Sequence, residues 1–124
     1  MSLELRSIIG QGDLKAERLT FKVTSNLDVG DYILLRVPLW DGNLMTEVED
    51  AFWFPFELVD KGDLVVVYTK PGSTRKRDLE NGRKAHFFYW GKSEPLWSES
   101  DYSAVIANAP DWSARSVKEL AKAN

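Results

Sequence analysis

Leu19-Thr20-Phe21-Lys22-Val23 is the stretch that decides the fold class. Apolar residues at 19, 21 and 23 alternate with polar ones at 20 and 22, the period-2 pattern of a strand with one buried face. Reading outward from it, the expected strands are Leu3–Ile9, Leu19–Thr24, Asp31–Val37, Leu44–Phe54, Leu64–Thr69, His86–Trp90 and Tyr102–Ala107. Asp31–Val37 and Leu64–Thr69 are more continuously apolar, as strands near the centre of a two-layer fold are. Gly10-Gln11-Gly12-Asp13 and Asp41-Gly42-Asn43 carry turn chemistry, and the second suggests a hairpin. About seven short strands with turn signals between them favour a β-sandwich over a βαβ fold. One short C-terminal helix is expected over about 113–123. Ser116 and Glu119 have capping-box spacing, and Val117, Leu120 and Ala121 form a narrow apolar stripe that must dock or fray. Residues 70–85 contain Pro71-Gly72-Ser73 and Asn81-Gly82 and read as a mobile loop.

The 124 residues suit one domain, 1–124, able to bury roughly two-thirds of its unfolded surface without a metal or disulfide staple. There is no cysteine, which excludes disulfides, thiolate zinc sites and a cysteine nucleophile. The first residues lack the basic start and apolar run of a signal peptide, and no stretch approaches the ~18 apolar residues of a membrane span. A cytoplasmic chain with no membrane contact is the expectation. Five Trp, six Phe and four Tyr exceed what a core this size needs, so some rings are expected to face a partner.

His86 is the only histidine, and a Ser-His-Asp arrangement would need it with Ser73, Ser93, Ser98 or Ser100. No Gly-x-Ser-x-Gly elbow exists, and His86 opens the aromatic strand Phe87-Phe88-Tyr89-Trp90, where a ring is unremarkable. Glu47 and Glu49 would share one face of a strand, but adjacent solvent-facing acids are common. Asp60 with Asp63, or Glu99 with Asp101, lacks an EF-hand pattern. Gly91-Lys92-Ser93 resembles the end of a phosphate loop, but His86 stands where that loop needs its first glycine. The expectation is a protein without catalytic residues, metal or cofactor.

Phe52, Phe54 and Pro55, then Val59 and Gly62, then the strand Val65-Val66-Val67-Tyr68 form an ordered series. Pro95-Leu96-Trp97 and the alternating Asp101-Tyr102-Ser103-Ala104-Val105-Ile106 follow it. Over about Phe52–Ile106 this order resembles the lamin tail domain. The resemblance implies an immunoglobulin-like sandwich and a habit of serving as a binding or scaffold module beside other domains.

Two surfaces are candidates for binding. Lys70, Arg75, Lys76, Arg77, Arg83 and Lys84 stand against Asp78 and Glu80, so Lys70–Lys84 carries +4 and the rest of the chain −7 of the net −3. Such a segment can follow a phosphate backbone or an acidic protein, with Phe87 or Tyr89 near enough to stack on bases. Leu39 and Trp40 lie at the hairpin tip, and Trp53 falls out of phase with Phe52 and Phe54. The three are expected to contact another chain. The expected function is a non-catalytic interaction module that binds a protein partner or itself. Nucleic-acid binding through the basic loop is the alternative, and a tryptophan platform for carbohydrate is the third reading.

Overall fold

The computed structural model describes residues 1–123 of the chain. Among them, eleven strands and one helix follow one another: β1 Leu3–Ile9, β2 Arg18–Val23, β3 Leu27–Asp28, β4 Tyr32–Trp40, β5 Asn43–Leu44, β6 Asp50–Trp53, β7 Leu58–Val59, β8 Leu64–Tyr68, β9 Arg75–Asp78, β10 Lys84–Tyr89, β11 Tyr102–Asn108 and α1 Val117–Lys122. The all-β reading with a short terminal helix holds. The count of seven does not, because three short strands are added and one expected strand is split. Among the described residues no helix is long and apolar enough to cross a membrane.

A five-stranded sheet has the order β1-β2-β8-β10-β9, and a second sheet is built on β4, with β11 along one edge and β5 and β6 paired to it as well. Strands β3 and β7 form a separate two-stranded ribbon. The inner faces of the two larger sheets meet across one core. Phe21, Val65, Val67 and Phe88 come from the first sheet, and Tyr32 and Leu34 come from β4, with Phe54 just past β6. Phe54 joins the layers: its ring stands edge-on to Phe21 at 5.9 Å and to Phe88 at 5.3 Å. The quoted alternation is realised, with Leu19, Phe21 and Val23 buried.

The expected strand Leu44–Phe54 is broken. Met45 N–H bonds Pro38 O, Glu49 N–H bonds Arg36 O, and the residues between them arch away from the ladder past Val37. Glu47 and Glu49 therefore lie in this arch and not on a strand face. The expected mobile loop is a second correction. β8 and β10 pair in parallel, which needs a crossover of a dozen or so residues, and 69–83 is that crossover. Its middle, Arg75–Asp78, pairs antiparallel with β10 as the sheet edge. The helix is shorter than expected. Ser116 Oγ accepts from Glu119 N–H at 3.1 Å as the capping box requires, but six residues bury nothing, and Val117 and Leu120 stay exposed.

One buried acid ties the turns to the core. Glu17 is fully buried, and its carboxylate accepts from Thr69 Oγ1 (2.6 Å) and from the N–H groups of Leu96 (2.8 Å), Gly12 (2.9 Å) and Trp97 (3.3 Å). A buried carboxylate persists only with such donors around it. These four join the β1–β2 turn, the end of β8 and the segment before β11 into one knot.

Candidate binding surfaces

His86 does not simply open an aromatic strand. It is buried on the inner side of β10, and its Nε2 meets Asp63 Oδ2 at 2.8 Å. Asp63 also accepts from the N–H groups of Asp60 and Lys84, each at 3.0 Å. Burial alone would raise the Asp63 pKa, but these backbone donors and His86 outweigh it and hold the carboxyl below its ordinary value. The other ring nitrogen, Nδ1, is buried and meets no hydroxyl, so the pair has the base and orienter of a hydrolytic triad without a nucleophile in reach. The pair pins the turn before β8 to the start of β10.

The outer face of the β4 sheet is apolar. With Tyr32 and Leu34 inward, alternation turns Ile33, Leu35 and Leu39 to the outer face, half-buried, while Val37 on the same phase is buried. Register places Trp53 beside Ile33, Ala51 and Val105 beside Leu35, and Ser103 beside Val37. These strand positions carry no charge. The charged side chains of this sheet lie on its inner rim and are satisfied there: Arg36 meets Asp50 at 3.2 Å, Lys92 meets Asp50 at 2.8 Å, and Arg36 covers the Tyr102 ring at 3.6 Å.

An aromatic cluster stands at one end of this face. Trp53 (46% exposed) is edge-on to Trp112 (49%) at 5.0 Å and to Phe56 (61%) at 6.1 Å. Trp53 Nε1–H donates to Gly30 O at 2.7 Å, which fixes the indole plane. Gly30 has no room for a side chain: an added Cβ would lie 2.1 Å from the Phe56 ring and 2.8 Å from its Cα. Asp28 Oδ1 accepts from both Gly30 N–H and Glu57 N–H at 2.8 Å, clamping the two segments that carry the cluster. The Trp53 and Trp112 planes stand at 86°, whereas Phe56 and Trp112 lie within 20° of parallel with centroids 6.3 Å apart.

Trp40 is 74% exposed beside the Asp41-Gly42 turn, where both residues have positive φ. The turn pairs Trp40 with Asn43 and Leu39 with Leu44, so the expected hairpin tip is present. The structure does not gather Leu39, Trp40 and Trp53 into one patch. Trp53 pairs with Ile33, seven residues from Trp40 along β4, which puts their backbone positions about 23 Å apart at strand rise. Alternation also places Leu39 on the outer face and Trp40 out of phase with it.

The outer face of the five-stranded sheet has opposite character. Register stacks three rows across it: Arg18, Tyr68 and Tyr89; Thr20, Val66, Phe87 and Arg75; Lys22, Leu64, Ala85 and Arg77. The rings of Tyr68 and Tyr89 lie parallel within 10°, centroids 5.3 Å apart. Arg75 sits 4.6 Å and Arg77 5.4 Å from the Phe87 centroid, while Lys70 sits 4.8 Å and Arg18 5.6 Å from that of Tyr68. Arg75 Nε–H also donates to the Tyr89 hydroxyl at 3.1 Å. Gly72 lies against the Tyr89 ring, where a Cβ would come within 2.5 Å.

Three of the six basic residues singled out in the sequence, Lys70, Arg75 and Arg77, thus share this face. Lys76 points the other way and pairs with Glu57 at 3.7 Å. Lys84 stands opposite Asp78, and Arg83 lines a groove at the β1–β2 end. Arg18, Lys22 and Tyr68 were not singled out, although Lys22 holds a polar position of the alternating stretch and Arg18 directly precedes it. The chain matches no known protein-family model, no curated protein and no solved structure.

Proposed function

We propose that the chain is a non-catalytic interaction module that docks a protein surface, a second copy of itself or another chain, on the apolar, half-exposed outer face of the β4 sheet. The observation that carries this reading is an uncharged face of Ile33, Leu35, Leu39 and Val105 ending in the half-exposed Trp53–Phe56–Trp112 cluster. Apolar area concentrated on one face, with aromatic anchors, is the composition of interface centres. A face without charge also meets its own copy without like-charge opposition, as a two-fold interface requires.

We propose a lamin-tail-like immunoglobulin sandwich as the architecture. Two sheets about one core, and the order Phe52, Phe54, Pro55, Gly62, Trp97 along the chain, support it. The cytoplasm is the compartment we assign, since a chain without cysteine draws nothing from an oxidising one.

Sedimentation equilibrium of the chain and of Leu35→Lys, with a photo-crosslinking residue at position 53 in parallel, tests the function. A wild-type dimer weakened about tenfold or more by Leu35→Lys is expected, or else a crosslinked protein partner lost in that variant. A chain that stays monomeric and crosslinks to nothing contradicts the reading.

A further inference from the structure

We infer that the outer face of the five-stranded sheet is a binding site for single-stranded nucleic acid, with phosphates on Arg18, Lys22, Lys70, Arg75 and Arg77 and bases on Tyr68 and Tyr89. This surface is distinct from the apolar face of the β4 sheet and does not depend on what that face binds.

The first observation is unsatisfied charge. None of these five cations has an ion-pair partner among the described residues. Among the described residues, the outward strand positions of this face hold Glu4 as their only acid, opposite Lys22. In a chain of net charge −3, a face so depleted of acids presents a local potential complementary to an anion.

The second observation is the extent of the charge. From Arg18 on β2 to Arg75 on β9 the face crosses three strand spacings, about 14 Å. Beyond Lys22 a groove of about 530 Å³, lined also by Glu4, adds Arg6 and Arg83 to the same track. A lone phosphate would engage one end of it, whereas a polyanion with regularly spaced charges engages all of it and releases counterions along its length.

The third observation selects among polyanions. The cations are interleaved with aromatic rings, and the guanidinium groups of Arg75 and Arg77 lie over Phe87 with their remaining N–H donors free for phosphate. Tyr68 and Tyr89 stack on one another, half-buried, with Gly72 against Tyr89 and Lys70 over Tyr68, so a base would meet the exposed edges of the pair beside these cations. Bases inside a duplex are already stacked and cannot reach rings set on a sheet, so the geometry favours single strands. An acidic protein segment has no need of the rings.

Fluorescence anisotropy of labelled oligo-dT and oligo-U, compared with a hairpin duplex and with heparin, tests the site. Single strands are expected to bind at low salt and to release as salt rises. Arg75→Gln with Arg77→Gln should weaken binding about tenfold or more and reduce the log–log salt slope by about 1.4, two single-strand phosphate contacts. Tyr68→Leu with Tyr89→Leu should cost single strands about tenfold while leaving heparin unchanged. The preference of the unaltered chain for single strands over duplex serves as the second readout should the tyrosine variant fail to fold. Leu35→Lys should leave oligonucleotide affinity unchanged, which separates this site from the apolar face. Absence of binding at low salt overturns the proposal. So does equal affinity for single strand, duplex and heparin, which would leave only a charged patch, one that suits an acidic protein equally well.

Discussion

The outer faces of the two sheets are made by the same device and differ in nearly everything else. On β4 the outward phase reads Ile33, Leu35, Val37 and Leu39; on β2 it reads Arg18, Thr20 and Lys22. The first face has no charge, and its sheet settles Arg36 and Lys92 with Asp50 on the inner rim. The second gathers cations with Glu4 as the one acid among its described outward strand positions and lays four of them over Tyr68 and Phe87. Each face also rests an aromatic ring on a glycine, Phe56 on Gly30 and Tyr89 on Gly72. Two sheets that share one core can thus address two kinds of surface, because outward positions are free of the packing that constrains inward ones.

The largest effects are expected where the faces have common support. Phe54→Ala removes the ring that touches Phe21 and Phe88 and should cost about 3–5 kcal/mol in urea unfolding, disordering both faces together. Glu17→Ala leaves the Thr69 hydroxyl and the Gly12, Leu96 and Trp97 amides without their acceptor, and a loss of about 3 kcal/mol or more is expected. Should either variant unfold in two separate steps, the single shared core would be refuted.

Smaller, face-selective effects come from the glycines. Gly30→Ala must displace Phe56 backbone and should cost about 1–3 kcal/mol, with a change in tryptophan fluorescence from the Trp53 cluster. Gly72→Ala meets only the Tyr89 ring, which can turn, so its cost should be lower and its effect confined to the five-stranded sheet. Equal costs would mean that the two rings are held alike.

The smallest effect is acid sensitivity. Because the folded-state pKa of Asp63 lies below its unfolded value of ~3.9, its contribution is complete above about pH 5 and is lost as pH falls through the folded pKa. Asp63→Asn should flatten that limb of the stability–pH curve, and an unchanged limb would assign the acid response to other carboxylates.

Much of this was legible in the sequence where burial enforces a period. β1 begins and ends at Leu3 and Ile9 as expected, and Trp53 is exposed between Phe52 and buried Phe54, because local alternation against a core fixes both. Strand β9 was not legible. Arg75-Lys76-Arg77-Asp78 has no apolar residue, and it is a strand only because β10 offers it an edge and Phe87 offers the guanidiniums a floor. The Tyr68–Tyr89 pair depends on parallel pairing across a crossover, and the Glu17 knot joins residues up to 80 positions apart. Neither leaves a local pattern. Arg18 and Lys22 sit in plain alternation, but their link to Arg75 and Arg77 needed the order of the strands.

The most direct test of two separate binding faces is hydroxyl-radical footprinting read by mass spectrometry, on dilute chain, on concentrated chain or chain with its crosslinked partner, and on dilute chain with oligo-dT. Concentration or partner should protect Trp53, Phe56 and Trp112 and leave Tyr68 and Tyr89 reactive, while oligo-dT should do the reverse. Unchanged reactivity of the Trp53 cluster in every condition, or protection of both sets by one ligand, would contradict the assignment.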